Sequence, residues 1–212
     1  MASESGFELN PELYDVAWDR LPRAEERGGL QFSQNQTRSE WIVKLKFMQG
    51  DERSGTGFYV NIPDTEYHVL MTAGHNLIDK KGDLSTNIEI HPPPAVTSSS
   101  DWKVLISPSY KEHPEVSNPD VDWGVILIPR KDESPRGFGF SLKLAYDDLY
   151  NEELTVGGYR EATAAGTPDI STGCCLASRP DHLEYDVATQ KGLSGSPVFI
   201  AYKGHDTAIC IQ

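Results

Sequence analysis

The sequence predicts an all-β fold in which two groups of short strands follow one another along the chain. Apolar or alternating segments of strand length recur from Trp41 onward, and turn-forming residues bound them. The composition agrees, because 18 glycines, 14 prolines and only 38% hydrophobic residues suit strands joined by turns better than a helical bundle. A charged and then glycine-rich segment over residues 130–140 separates the two groups.

The first group has six predicted strands and the second has five. Those of the first group cover residues 41–47, 56–62, 67–73, 87–91, 102–108 and 123–129. Those of the second cover residues 154–159, 173–179, 182–188, 196–202 and 207–212. Before them, residues 1–38 are polar and turn-rich. The expected organisation is therefore an outer N-terminal extension (1–38), a first unit (39–129), a linker (130–140) and a second unit (141–212).

Charge and composition argue against several classes of partner. The formal net charge of −13, from 32 acidic and 19 basic residues, disfavours a nucleic-acid backbone or an anionic membrane. The N-terminus has neither the basic start nor the apolar stretch of a signal peptide, and no apolar run approaches membrane-spanning length. The three cysteines, Cys174, Cys175 and Cys210, cannot pair completely. We therefore expect buried thiols in a cytoplasmic protein.

The remaining chemistry-bearing residues predict no cofactor. The histidines other than His75 show no HExxH or Cys/His spacing typical of a metal site. No glycine-rich loop of the kind that binds phosphates is present. We expect neither a metal nor a nucleotide.

The segment GLSGSP, residues 192–197, carries the strongest chemical signal. A serine hydroxyl becomes a useful nucleophile when a base takes its proton and backbone N–H groups receive the developing charge. Gly192 allows close approach of a substrate, and its N–H and that of Ser194 can share one oxyanion. Upstream, TAGH ends at His75 and DWGVILI begins at Asp122. Each motif alone has an ordinary structural interpretation, but together they give the order His, Asp, Ser, which differs from that of α/β-hydrolases.

These segments resemble those of the trypsin-like (chymotrypsin-fold) serine proteases. The matching elements are SGTGFYV (54–60), VLMTAGHNL (69–77), DVDWGVILI (120–128) and GLSGSPVF (192–199), and they span about residues 40–212. The likeness is closest to the glutamyl-endopeptidase branch, through LEYDVATQKGLSGSPVF (183–199). The resemblance implies a double antiparallel β-barrel with the active site in the cleft between the barrels. Compared with that fold, the second barrel is expected to lack its last strand and C-terminal helix after Gln212.

The resemblance also implies a serine endopeptidase that forms an acyl-enzyme on Ser194. His75 would be the general base, Asp122 would orient its imidazole, and the N–H groups of Gly192 and Ser194 would form the oxyanion hole. Asp120 competes with Asp122, because strand parity sends both to the same side. We prefer Asp122 because it directly precedes the apolar strand.

The same resemblance implies substrate-binding residues. Ala188 and Thr189 would line the floor of the specificity pocket, with Lys191 at its rim, so a preference for Arg or Lys is not expected. Glutamyl endopeptidases have a threonine at the place of Thr189 and a histidine where this chain has Gln212. We expect Glu or a small polar residue on the N-terminal side of the scissile bond. The alternative is that Thr189 and Gln212 are simply strand residues.

Leu193 bears on activation. It stands where trypsin-type zymogens carry an aspartate that pairs with a newly cut N-terminal amine, so that switch cannot operate here. We expect the barrel to be competent without N-terminal cleavage, or to be controlled by other means. Activity before and after removal of residues 1–38 distinguishes these cases.

The expected partner is a polypeptide substrate, together with further domains of the same protein C-terminal to Gln212. A rival hypothesis is a protease-like interaction or regulatory domain of a larger intracellular protein. The shortened second barrel favours the rival. The complete His, Asp and Ser set disfavours it, because a scaffold needs none of the three.

Overall fold

The computed structural model describes residues 37–62, 65–92, 99–114, 118–130, 137–140, 149–161, 166–179, 182–202 and 205–212. Most of the predicted extension (1–36) and part of the predicted linker (131–136) lie outside these ranges. Within them, the helical segments include α1 (Thr37–Trp41), α2 (Pro108–Glu112) and 3₁₀ turns at Gly74–Asn76, Ser99–Asp101 and Pro119–Val121. None of the helices in the described ranges is long and apolar enough to cross a membrane.

The strands form two six-stranded sheets, one for each predicted group. The first contains β1 (Ile42–Gln49), β2 (Asp51–Val60), β3 (Tyr67–Thr72), β4 (Thr86–His91), β5 (Lys103–Ile106) and β6 (Gly124–Pro129). Its order is β4-β1-β2-β3-β6-β5, and every neighbouring pair is antiparallel. All six strands predicted for this group are present.

The second sheet contains β7 (Gly139–Phe140), β8 (Glu153–Gly158), β9 (Asp169–Ser178), β10 (Leu183–Tyr185), β11 (Pro197–Tyr202) and β12 (His205–Ile211). Its order is β10-β9-β8-β11-β12-β7, with only the β12–β7 pair parallel. The five predicted strands are present and β7 is an addition, inside the segment predicted as a linker. Two residues are too few to show a period, so the sequence pattern could not reveal this strand. The all-β prediction is confirmed.

Side chains alternate along β1, so its two faces pack against different parts of the molecule. Val43, Leu45 and Phe47 belong to the apolar core of the first sheet. Ile42 belongs instead to a cluster that joins the two sheets. Lys44 has the same parity as Ile42 and is only 4% exposed. The central part of β1 therefore turns a lysine toward the second sheet.

The two sheets meet through an apolar cluster with members from both. Its buried residues are Ile42, Phe58, Val60, Phe138, Tyr159 and Phe199. Phe138 lies edge-on to Trp41 and Phe58, with ring centroids 5.3 and 5.9 Å apart. Each fully buried apolar side chain stabilises the fold by about 1.5–3 kcal/mol. This packing sets the position of one sheet against the other.

The cysteines differ in their environments. Cys175 is fully buried in the core of the second sheet, whereas its neighbour Cys174 is exposed, because adjacent residues of β9 face opposite sides. Cys210 is half-buried, and all three are free. Burial raises the pKa of the Cys175 and Cys210 thiols. The expectation that all three thiols are buried is therefore wrong for Cys174.

Candidate active site

His75 and Asp122 lie at the ends of two paired strands. His75 is in the 3₁₀ turn that follows β3, and Asp122 directly follows the turn that leads into β6. The antiparallel pairing of β3 with β6 places Thr72 opposite Gly124. Residues 47 positions apart in the sequence are therefore neighbours in the fold.

The Asp122 carboxylate holds both the backbone and the ring of His75. Its Oδ1 accepts the His75 backbone N–H at 2.8 Å, and its Oδ2 lies 2.5 Å from the ring Nδ1. The contact favours the tautomer that carries its proton on Nδ1, because only that tautomer donates to the carboxylate. Nε2 is then the ring atom able to accept a proton. The His75 side chain is 44% exposed and that of Asp122 is 20% exposed, so the imidazole is accessible while its partner is sheltered.

Gly74 and Tyr110 enclose the carboxylate from one side. A Cβ atom at Gly74 would lie 2.9 Å from Tyr110 Cδ1 and 3.0 Å from Asp122 Oδ1, so a larger residue would displace one of them. Tyr110 is 5% exposed. Burial and the nearby charge of Asp122 raise the pKa of Tyr110 to about 12. The phenol therefore stays neutral beside the carboxylate.

Asp120 occupies a different environment from Asp122. It is exposed, and its Oδ1 lies 3.7 Å from Nδ1 of His182. His182 comes from the segment before β10 in the second sheet, where its Nε2 is 3.6 Å from Glu184. Asp120 thus faces the second sheet, whereas Asp122 faces His75. Strand parity could not separate the two, because they are divided by the end of a 3₁₀ turn rather than by a regular strand.

Ser194 lies in the turn between β10 and β11 and is held by the first sheet. Its carbonyl oxygen accepts the Thr56 N–H at 2.9 Å and the Asn76 Nδ2 at 3.0 Å. Since Asn76 follows His75 directly, this bond keeps the serine segment beside the histidine turn. Among the described residues, no hydrogen bond joins the Ser194 hydroxyl to His75.

Gly195 allows the serine segment to lie directly on the first sheet. Its φ is +87°, a conformation that favours glycine. A Cβ atom there would lie 2.2 Å from Thr56 O and 2.3 Å from Thr72 Oγ1. Both conditions require glycine after Ser194.

Two peptide groups at residues 191–194 are oriented by hydrogen bonds on their carbonyl sides. Lys191 O accepts the Glu161 N–H at 2.9 Å, and Leu193 O accepts the Ser196 N–H at 2.9 Å. Because the C=O and N–H of a planar trans peptide point in opposite directions, the N–H groups of Gly192 and Ser194 face away from these bonds. Within the described part of the chain, neither donates to a backbone carbonyl. Within those residues, both N–H groups therefore remain available as donors.

Three solved structures with the same architecture are serine proteases. The thermostable serine protease AL20 from an extremophilic microorganism gives a TM-score of 0.54 at 16% identity, covering 77% of this chain and 80% of that one. The HtrA-type protease AlgW gives 0.52 at 12% identity, and the serine endoprotease from Yersinia pestis gives 0.52 at 13%. This chain spans about half of each of those two chains, 49% and 52%, and each match covers 79% of this chain. The chain has the trypsin-like double β-barrel fold.

No family model and no curated protein matches the sequence. The likeness therefore rests on architecture. In a trypsin-like fold the two sheets are the two barrels, and the segments that carry His75, Asp122 and Ser194 meet between them.

Of the four residues predicted to bind substrate, three are exposed and one is half-buried. Ala188, Thr189 and Lys191 are exposed and follow the end of β10. Gln212 is half-buried, and its side-chain oxygen accepts a hydrogen bond from the Tyr185 hydroxyl. Among the described residues no hydrogen bond joins Thr189 to Gln212. Neither residue lies within a strand, although the Gln212 backbone bonds to residues 195 and 196.

Two residues at the site were not singled out from the sequence. Thr56 is fully buried; its hydroxyl donates to Gly192 O at 2.8 Å and accepts the Tyr159 N–H at 2.9 Å. Asn76 is 2% exposed and bonds to Thr72 as well as to Ser194. A polar residue between glycines in SGTGFYV is the only sequence signal for Thr56.

The described residues include no group of three or more His, Cys, Asp or Glu side chains arranged to hold a metal ion. The chemistry that the site offers within those ranges is that of a hydroxyl, an imidazole, a carboxylate and backbone donors.

Proposed function

We propose that the chain is a serine endopeptidase that cleaves polypeptides through an acyl-enzyme on Ser194. The observation that carries this proposal is the hydrogen-bonded His75–Asp122 pair, which Asn76 links to the serine segment. In that segment the Gly192 and Ser194 N–H groups donate to no backbone carbonyl of the described residues. A hydroxyl, an oriented imidazole and an oxyanion-binding pair are the groups that acyl transfer requires. The serine-protease neighbours support this class of activity.

In the proposed mechanism, His75 Nε2 takes the Ser194 hydroxyl proton as the oxygen attacks the peptide carbonyl. The N–H groups of Gly192 and Ser194 stabilise the resulting oxyanion, and Asp122 stabilises the imidazolium through Nδ1. The imidazolium then gives its proton to the leaving amine, and the C–N bond breaks. Water, deprotonated by the same imidazole, attacks the ester and releases the carboxylate product, which regenerates the Ser194 hydroxyl.

The pocket residues support a preference for Glu or a small polar residue before the scissile bond. The Tyr185 hydroxyl holds the oxygen of the Gln212 amide, so the amide NH₂ remains to donate to a substrate oxygen. Thr189 offers a hydroxyl and Lys191 a positive charge nearby in sequence. We expect peptides with Glu at this position to be cleaved faster than otherwise identical peptides with Lys. Faster cleavage after Lys would refute this assignment of the pocket while leaving the catalytic proposal intact.

Labelling by a fluorophosphonate probe tests the catalytic proposal. The unmodified chain should be labelled at Ser194, and Ser194→Ala should abolish the label. His75→Ala should reduce both labelling and peptide hydrolysis by roughly 10²–10⁴-fold, because a positioned base contributes about that factor. Circular dichroism should show that both variants remain folded. A folded, unmodified chain that takes no label contradicts the proposal and favours the non-enzymatic interaction domain.

We further propose that the protein is cytoplasmic, because its three free cysteines suit a reducing compartment.

A further inference from the structure

Lys44 is a buried cation that connects the first sheet to the segment after β8. It lies in the middle of β1 with 4% of its surface exposed, on the face that turns toward the second sheet. A buried ammonium is costly unless hydrogen bonds replace its lost hydration. Lys44 Nζ donates to Arg160 O at 3.4 Å and to Glu161 O at 3.2 Å. The first sheet therefore reaches across to a turn that follows β8.

That turn forms the wall behind Gly192. A Cβ atom at Gly192 would lie 2.4 Å from Glu161 N and 2.7 Å from the Arg160 carbonyl carbon. The Glu161 N–H donates to Lys191 O at 2.9 Å, and the Lys191 carbonyl belongs to the peptide whose N–H is that of Gly192. Two consecutive hydrogen bonds thus connect the Lys44 ammonium, through the Arg160–Glu161 peptide, to the Lys191–Gly192 peptide. The second bond sets the direction in which the Gly192 N–H points.

The orientation of this peptide is not fixed by the local backbone. Gly192 has φ +96°, and glycine adopts positive and negative φ with similar ease, so the peptide before it is free to rotate unless a contact prevents this. Rotation would turn the Lys191 carbonyl oxygen toward the cleft and the Gly192 N–H away from it. Leu193 carries no charge with which to fasten the segment by an ion pair.

We propose that Lys44 is a positioning residue for the oxyanion hole: by holding the 160–161 turn, it keeps the Lys191–Gly192 peptide in the orientation that presents the Gly192 N–H. This inference rests on the proposed function, because an oxyanion hole has a purpose only in acyl transfer. Lys44 acts through the turn and does not touch the substrate.

The test compares Lys44→Met with Lys46→Met in the full chain. Methionine keeps most of the length of lysine and removes its N–H donors. Lys46 lies on the same face of β1, two residues further on and partly exposed, so it is the matched control. Lys44→Met should lower kcat about tenfold or more with KM changed less than threefold, because the oxyanion forms only after binding. Lys46→Met should leave both within about twofold.

The inhibition constant of a peptide aldehyde measures the oxyanion hole directly and does not depend on the stability of a folded variant. Its adduct with the serine carries a tetrahedral oxyanion, so its inhibition constant should weaken in Lys44→Met by about the factor lost in kcat. Binding of the corresponding peptide alcohol, which forms no adduct, should stay unchanged. Thermal unfolding of each variant shows that the protein assayed is folded.

Several outcomes overturn the inference: an unchanged kcat in Lys44→Met, equal losses in both variants, or equal weakening of aldehyde and alcohol. If Lys44→Met does not fold, Lys44→Gln is measured in its place with the same expectations, because its shorter side chain cannot reach both carbonyl oxygens. Fluorophosphonate labelling of the unmodified chain separates failure of the proposed function from failure of the role proposed for Lys44. Without labelling the proposed function fails, whereas labelling combined with an unaffected Lys44→Met removes only the inference.

Discussion

The Asp122 side chain determines both the position of His75 and which of its ring nitrogens carries the proton. Its two oxygens accept the backbone N–H and the ring Nδ1 of His75, at 2.8 and 2.5 Å. The first bond fixes the turn, and the second fixes the tautomer. The sequence predicted both Asp122 and its competitor Asp120. It could not choose between them by periodicity, because the deciding factor is the 3₁₀ turn at Pro119–Val121.

Asparagine at each of these two positions gives a matched comparison. Asp122→Asn should lower kcat by about 10⁴-fold, because an amide accepts less strongly and favours the tautomer with the proton on Nε2. Asp120→Asn should leave kcat within about threefold, since its carboxylate faces His182. The measurement is steady-state hydrolysis of one peptide substrate by both variants. A larger loss for Asp120→Asn than for Asp122→Asn would reverse their assignment.

At the scale of elements, Thr56 of β2 makes polar contacts with both sheets. Thr56 binds the segment of Gly192 and Ser194 through both its hydroxyl and its N–H, and its carbonyl oxygen accepts from Thr72. Residues 58 and 60 have the same parity and join the apolar cluster between the sheets. The alternation predicted β2 as a strand. The two partners of the Thr56 hydroxyl lie 103 and 136 residues away, and short-range periodicity carries no information on such distant pairs.

Removal of the Thr56 hydroxyl should affect both stability and catalysis. Thr56→Val leaves the buried Tyr159 N–H and Gly192 carbonyl without this partner, which should lower the free energy of unfolding by about 1–3 kcal/mol. The loosened Gly192 segment should also lower kcat more than it changes KM.

Thr56→Ser, which keeps the hydroxyl, should recover most of both losses. Chemical denaturation and steady-state kinetics provide the two readouts, and Thr86→Val on the exposed edge of β4 is the control. A Thr56→Val variant as stable and active as the unmodified chain would contradict this role.

At the scale of the whole molecule, the strands that could be predicted are those long enough to show a periodic pattern of apolar residues. Each of the eleven strands other than β7 overlaps a strand predicted from alternation or an apolar run, although β2 begins at Asp51 instead of residue 56 and β10 ends at Tyr185 instead of residue 188. β7 has two residues and pairs with a strand 68 positions later, as Gly139 does with Thr207, so only tertiary contact defines it. The same limit applies to Lys44, because a lysine in an alternating strand normally indicates a solvated face.

The hydrogen bond between the Thr56 N–H and the Ser194 carbonyl oxygen also has a consequence for the assembly of the two halves of the chain. Biosynthesis completes the half that contains His75 and Asp122 before the last strands leave the ribosome, and that half does not contain Ser194. The serine turn, in return, depends on Thr56 and Asn76 for its carbonyl partner. Under the proposed function, neither half made alone should cleave anything, so co-expressed halves should regain hydrolysis only after they associate, which makes the sequence between β6 and β7 a natural point at which to split the gene.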